Sequence, residues 1–270
     1  MDIVILTGDE IRHEYVRKKI ASHSGINVLR TYCESAERSL KNRIDQDQNS
    51  SILEKHHIDA RMQSEEDFFG DAIFAMPDYS NPRKIKKGAI NSEDISSAIC
   101  ALQPDLLICY GASLIKSSLL DRFKGRFLNV HLGLSPYYRG SGTNIWPLIN
   151  DEPHMVGATF MHIDAGIDTG AIIHQIRADI FLGDGPHSIG NRLIKKMAEI
   201  YCHIICSFDN LAEENQPKGK NILYLRKHFD SKACSTLYHN FQNGMISNYL
   251  RARNSINLPY IVCNSGLSAV

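Results

Sequence analysis

Short, unbroken apolar runs set between longer polar-faced segments constrain this chain more than any other feature. The clearest is Leu106-Leu107-Ile108-Cys109-Tyr110, opened by Asp105. A strand with one wet face alternates apolar and polar residues, whereas a run without alternation is covered on both faces. Asp2 to Leu6 has the same character and stops at the turn-forming Thr7-Gly8-Asp9. Ile26 to Tyr32, Phe127 to His131, Gly157 to Ile163 and Ala171 to Ile176 complete the predicted strands. Between them, Glu10 to Ala21 carries Ile11, Tyr15, Val16 and Ile20 on one side. Ser92 to Leu102 opens with the capping sequence Ser-Glu-Asp and continues through Ile95, Ile99 and Leu102. A long helix is expected from Ser188 to about Leu211. Strands alternating with helices predict an α/β domain with a largely parallel sheet.

The remaining segments are less regular. Glu34 to about Phe69 is highly polar, with Leu40, Ile44, Ile52, Leu53, Ile58 and Met62 widely spaced, and reads as one long or broken helix, mostly solvated. Pro77 to Gly88 reads as a loop with room for a short strand. Its basic run Arg83-Lys84-Ile85-Lys86-Lys87 is a candidate anion contact, although solvated loop charge is the commoner case. From Ala212 to Val270 the chain is polar with scattered aromatics (Tyr224, Phe229, Tyr238, Phe241, Tyr249, Tyr260) and is short for an independent domain. The expected division is therefore a catalytic domain over residues 1–211 and an extension over 212–270 packed on it.

Of 270 residues, 43% are hydrophobic, enough for one large core. Lys plus Arg and Asp plus Glu both number 30, so no global positive field favours nucleic acid as a partner. The first residues lack a basic region followed by an apolar one, and no apolar run approaches the ~20 residues that span a bilayer. A cytoplasmic protein without a membrane or nucleic-acid partner is expected, with a homodimer as the assembly entertained. The seven cysteines are scattered, most of them in apolar stretches, as reduced core thiols are. Cys202 and Cys206 stand one helical turn apart beside His203 without further ligands in a zinc spacing, so no metal is expected.

Chemistry concentrates in two blocks. The first runs Leu128-Asn129-Val130-His131-Leu132-Gly133-Leu134-Ser135-Pro136-Tyr137-Tyr138-Arg139-Gly140. The period of two in a strand puts Asn129 and His131 on one face, at the carboxyl end where open α/β sheets bind ligands. An amide can donate to a developing oxyanion, and an imidazole can act as acid, base or second donor. The second block, Gly157 to Gly170, runs a strand into a glycine-flanked loop displaying Asp168, a carboxylate able to orient the imidazole. Taken alone, Asn-x-His is more often strand decoration and an Asp between glycines a turn former. Ser135 lacks a nucleophile elbow, and Gly140-Ser141-Gly142 fits neither a dinucleotide fingerprint nor a P-loop.

Together the blocks resemble the folate-dependent formyltransferases, the family of glycinamide ribonucleotide, methionyl-tRNA and sugar-nucleotide N-formyltransferases. The family pattern is Asn-x-His, then Leu-x-Pro-x-Tyr-Arg-Gly, then Asp-x-Gly about thirty residues later. This chain has Asn129 and His131, then Leu134 to Gly140, then Asp168-Thr169-Gly170; upstream, Asp105 to Ile115 is similar to the family's strand and pterin-pocket loop. The likeness extends over roughly residues 1–210. It implies a Rossmann-like formyltransferase fold with a mostly parallel sheet flanked by helices. It also implies catalysis by Asn129, His131 and Asp168, with 10-formyltetrahydrofolate as co-substrate. The pterin is expected between Ser113-Leu114-Ile115 and the loop Asp164-Ala165-Gly166-Ile167. The acceptor is expected past Tyr138-Arg139-Gly140, with Arg139 assigned to holding the loop rather than to a phosphate.

Gly133 stands where the family usually has Ser. Methionyl-tRNA formyltransferases carry a C-terminal barrel domain of roughly 100 residues, larger than this tail. The expected acceptor is accordingly a small-molecule amine, a nucleotide-linked amino sugar foremost, with Tyr224, Arg226 and Lys227 reading the nucleotide. The alternatives are a methionyl-tRNA formyltransferase-like activity, a formyltetrahydrofolate hydrolase and a non-enzymatic binding protein. The hydrolases carry a domain ahead of a first strand that here begins at residue 2, and a degenerate core need not keep all three site residues.

Overall fold

The first apolar run extends into strand β1 (Asp2–Gly8), followed by helix α1 (Ile11–Ala21) and β2 (Asn27–Glu34). The computed structural model describes residues 1–37, 40–47, 50–217 and 222–267. Two helices follow, α2 (Leu40–Gln46) and α3 (Ile52–Ala75), then β3 (Pro82–Ile85), α4 (Glu93–Ala101), β4 (Leu106–Tyr110), α5 (Ser117–Arg122) and β5 (Phe127–His131). The two-residue β6 (Arg139–Gly140) and short α6 (Trp146–Ile149) lead to β7 (Gly157–His162), β8 (Ile172–Arg177) and α7 (Pro186–Ser207). The chain closes with β9 (Leu223–Tyr224), α8 (Ser231–Gln242) and α9 (Met245–Ala252).

Seven strands form one sheet in the order β3-β2-β1-β4-β5-β7-β8. The first five are mutually parallel, and β7 runs antiparallel to both β5 and β8. The sheet is thus mostly parallel, as expected. The alternation along β1 explains why it must be covered on both faces. Ile3 and Ile5 join a large core beneath α1, α3 and α7, while Val4 and Leu6 join a smaller one with Ile95, Ile99 and Leu119.

One expectation needs correction. The polar stretch after Glu34 is a broken helix that runs on to Ala75, and α3 is not mostly solvated. It buries Glu54, His57, Ile58, Glu65 and Phe69, so half of its inward face is polar groups held by partners rather than by apolar contact. Its start is set by Ser51, whose hydroxyl accepts from the Glu54 N–H while Glu54 reaches back to the Ser51 N–H. The basic run contains an edge strand, β3, which begins at Pro82, where a missing N–H costs no ladder bond. Arg83, Lys84 and Lys86 are exposed, as solvated loop charge is, with Lys84 meeting Asp9 at 3.0 Å, while Lys87 is drawn in to meet Glu34 at 3.0 Å.

The residues after 212 share the main core. Phe229, Cys234, Leu237, Met245, Ile246 and Leu267 are buried in the larger cluster. β9 pairs in parallel with β6, Arg139 opposite Leu223 and Gly140 opposite Tyr224. No helix among the described residues is long and apolar enough to cross a membrane.

Candidate active site

Two cavities open at the carboxyl ends of the parallel strands. The first, about 390 Å³, is bounded by the loops after β1, β4 and β5 and by α3 and α7. The second, about 230 Å³, lies between the loop after β4 and the loop joining β7 to β8. Ala112, Asn129 and Asp168 line both. The pleat of β5 puts Asn129 and His131 on one face, and Asn129, which lines both cavities, has no side-chain hydrogen-bond partner among the described residues.

His131 is 8% exposed. Its Nε2 lies 3.0 Å from the Tyr138 carbonyl and 3.1 Å from the Thr143 hydroxyl. A carbonyl only accepts, and the Thr143 hydroxyl donates its own hydrogen to the Leu132 carbonyl at 2.7 Å. Nε2 thus faces two acceptors and carries the ring hydrogen, an assignment made from the partners. Nδ1 is left to take a proton, and Asp168 Oδ2 lies 3.4 Å from it. The same carboxylate oxygen accepts the Gly140 N–H at 2.9 Å. Asp168 adopts a left-handed backbone, φ +53°, at a cost on the order of 1–3 kcal/mol that the surrounding bonds must offset.

Gly133 packs directly against this group. A Cβ there would fall 2.5 Å from His131 Nε2 and 2.6 Å from the Tyr138 carbonyl oxygen. Glycine is therefore required by close approach, and a serine in its place would displace the imidazole. Arg139 donates from Nε to the Ile167 carbonyl at 3.1 Å and so ties the two motif loops together. Gly140 has φ +99°, and a Cβ would meet the Tyr224 carbonyl oxygen at 2.1 Å, which fixes glycine where β9 docks.

The second cavity is lined by Ser113, Leu114, Ile115, Asp164, Gly166 and Ile167. Leu114 and Ile167 remain 60% and 39% exposed, an apolar pair suited to cover a flat ring. Ala165 is exposed and lines neither cavity, so the loop presents its neighbours instead. Asp164 builds the loop, accepting from the Gly166 N–H at 2.9 Å and from the Thr169 hydroxyl at 2.6 Å. Glu34, unnoticed in the sequence, anchors the opposite wall. Its fully buried carboxylate accepts from Lys87 Nζ, the Gly88 N–H and the Ser113 N–H. Burial pushes this carboxyl up, but the bonds from Lys87 and Ser113 outweigh it and hold it below the usual value.

The first cavity has a polar wall that the sequence did not reveal. Arg12 bonds Glu65 at 3.0 Å and also pairs with Glu10, while Arg61 donates to Glu65 at 2.8 Å. Two cations and two anions nearly cancel. Beside them burial, with nearby cations, pushes His57 down to about 3, His187 down to about 4 and His13 well below its ordinary value. All three are neutral hydrogen-bonding groups at pH 7. Residues after 212 close the cavity through Leu225, Arg226 and Phe229.

Two expected acceptor contacts are placed otherwise. The Tyr138 side chain is 3% exposed, lines neither cavity and bonds Glu152 and Asn150, so only its carbonyl serves the site. Tyr224 is stacked on Tyr138 (ring centroids 5.5 Å apart) and on Trp146 (4.6 Å), so its ring is spent on packing rather than on a nucleotide.

The chain is 30% identical over 167 residues to the methionyl-tRNA formyltransferase of Finegoldia magna, covering 57% of this chain and 52% of that protein. It thus spans about half the length of that relative. The phosphoribosylglycinamide formyltransferase of Anaplasma phagocytophilum shares the fold with TM-score 0.54 at 14% identity, over 83% of this chain and 98% of that one. A sugar N-formyltransferase from a Shewanella species does so with TM-score 0.54 at 16% identity, over 85% and 78%. Residues 3–205 match the family described as formyl transferase, and this chain belongs to that family.

Proposed function

We propose that this protein transfers a formyl group from 10-formyltetrahydrofolate to the amine of a small-molecule acceptor, a nucleotide-linked amino sugar foremost. The observation that carries this reading is the meeting of two separate cavities at Asn129 and Asp168, with His131 beside them. A group-transfer enzyme needs two sites that share one reacting point, and a hydrolase needs only one. The folate supplies the formyl carbon from the second cavity, flanked by Leu114 and Ile167. Asn129 donates its amide hydrogen to the formyl oxygen as charge develops there. His131 accepts the amine's proton at Nδ1, Asp168 stabilises the resulting imidazolium, and the proton then passes to N10 of the folate as the formyl C–N10 bond breaks and tetrahydrofolate leaves. Attack requires an unprotonated amine about 3 Å from the carbon.

The charge-balanced wall of the first cavity supports a hydroxyl-rich acceptor over a compact anion. A phosphate against this wall would find the Arg12 and Arg61 guanidinium groups already engaged by glutamates, whereas His57 and His187 offer neutral donors and acceptors to hydroxyls. The test is loss of 10-formyltetrahydrofolate with a panel of UDP- and dTDP-linked amino sugars, phosphoribosylglycinamide, methionyl-tRNA and water alone. Formylated amino sugar supports the reading. Product only from methionyl-tRNA or phosphoribosylglycinamide overturns the acceptor, and turnover with water alone overturns transfer.

A further inference from the structure

Hydrogen bonds at Glu214, Gln216 and β9 connect the segment after residue 212 to the loops that hold the reacting groups. Glu214 exchanges backbone hydrogen bonds with Ile172, at 2.8 and 2.7 Å, at the start of β8. That pairing sets Gln216 beside the Asp168 loop. The Gln216 amide donates to the Asp168 carbonyl at 2.8 Å and to the Gly170 carbonyl at 3.0 Å. Further on, the Tyr224 carbonyl accepts the Ser141 N–H at 2.8 Å, where β9 pairs with β6. The extension thus grips both strands of the arrangement: Gly140, whose N–H holds Asp168 Oδ2, and Asp168 itself.

We propose that Gln216 is a positioning residue for Asp168, and that the extension braces the catalytic carboxylate as well as walling the acceptor cavity. The geometry gives the reason. Asp168 is a non-glycine residue in the left-handed region, a conformation that persists only where its surroundings impose it. Both amide hydrogens of Gln216 go to the two carbonyls that flank Thr169, closing the turn from outside while Asp164 closes it from within. Without that clamp the turn can relax toward ordinary backbone angles, carrying Oδ2 away from His131 Nδ1 and from the Gly140 N–H.

The inference rests on the formyl-transfer reading for its kinetic consequence but not for its structural one. Gln216→Ala is expected to lower kcat about 10- to 100-fold, as a displacement of about 1 Å does, with KM for 10-formyltetrahydrofolate and for the amino sugar within about twofold. In an Asp168→Ala background the same change should cost nothing further, because a residue that acts only through Asp168 is not additive with its loss. Gln216→Lys keeps a donor and should recover part of the rate, whereas Gln216→Glu, which turns a carboxylate on two carbonyls, should not. In the whole chain without substrates, hydrogen exchange at Gly140 should quicken in Gln216→Ala at unchanged melting temperature. Equal losses in both backgrounds, or unaltered Gly140 exchange, would overturn the proposal. If no amine is formylated by the wild-type protein, the functional reading falls, while Gly140 exchange still decides the brace.

Discussion

Replacing Asp168 by Asn tests the proton-transfer geometry directly, because it removes one charge and almost no volume. In the substituted site the side-chain oxygen can still accept the Gly140 N–H, now held at 2.9 Å, so the loop keeps its anchor. That same oxygen is the atom 3.4 Å from His131 Nδ1, and as an amide oxygen it faces that nitrogen without charge. Nε2–H stays committed to Tyr138 and Thr143, so Nδ1 remains the position that must take the proton. The imidazolium loses its counter-charge. Two unit charges 3.4 Å apart attract by about 5 kcal/mol at an effective dielectric of 20. The side chains are only 8% and 12% exposed, so water screens little of this. Allowing half of it to be recovered by solvent leaves about 2.4 kcal/mol, so kcat should fall roughly 60-fold, since each 1.36 kcal/mol is a factor of ten. Steady-state turnover at saturating donor and acceptor measures it, with folate-analogue affinity as the control for an intact site. A variant within about threefold of wild type would refute the assignment of Nδ1 as the proton acceptor.

Further predictions follow from other contacts. Gly133→Ala should reduce turnover at least about tenfold through His131, because its new Cβ lies within 2.5 Å of Nε2 and one flank is unyielding backbone; unchanged kcat would show that the loop yields. Leu237→Ala, at a fully buried position in α8, should lower unfolding free energy by about 2–5 kcal/mol in urea titrations, and a loss below about 1 kcal/mol would separate the extension from the core. Stability should depend on pH through His57 and His187, whose folded values of about 3 and about 4 lie under the ordinary 6.5. The unfolded chain then binds more protons, so stability is full above about pH 6.5 and declines as pH falls toward 4, by up to about 1.4 kcal/mol per pH unit for each histidine. Urea midpoints that do not shift across that window, or that shift equally in His57→Gln/His187→Gln, would exclude these histidines as the source.

How far a sequence reads depends on whether a feature is local. Strand period puts Asn129 and His131 on one face and turn-forming residues bound the Asp168 loop, but these local features alone read as strand decoration and a turn former, and only the resemblance to the formyltransferases joins the three into one candidate site. The direction of β7 was not legible, since a strand's hydrophobic pattern is the same parallel or antiparallel. α3 was misread as solvated because apolar spacing was the only signal counted. Its buried Glu54, His57 and Glu65 owe their places to Ser51, Ser231, Tyr238, Arg12 and Arg61, and most of these partners are distant in sequence. Tyr138 stands inside the motif and is expected on the acceptor's path, but its burial under Tyr224 depends on a residue 86 positions later and leaves no local mark. Thr143 and Glu34 carry no short-range mark: one closes on a histidine twelve residues earlier, the other on an N–H seventy-nine residues later.

The loop from Asp164 to Gly170 shows why those distant partners matter to the chemistry. Its glycines are there for close approach, not for positive φ: a Cβ at Gly166 would meet Thr169 Oγ1 at 2.0 Å, and one at Gly170 the His162 carbonyl oxygen at 1.9 Å. The one residue that does adopt the left-handed region is Asp168, a position where glycine would be less strained. Glycine, however, has no carboxylate. The strain at this point is therefore the cost of carrying a charged side chain where the two cavities meet, and it must be offset by bonds from elsewhere. Asp164 provides them from inside the loop, Gly140 from the neighbouring motif and Gln216 from the extension. Two of these three lie outside the loop, so the position of the carboxylate depends on how the rest of the chain closes around it.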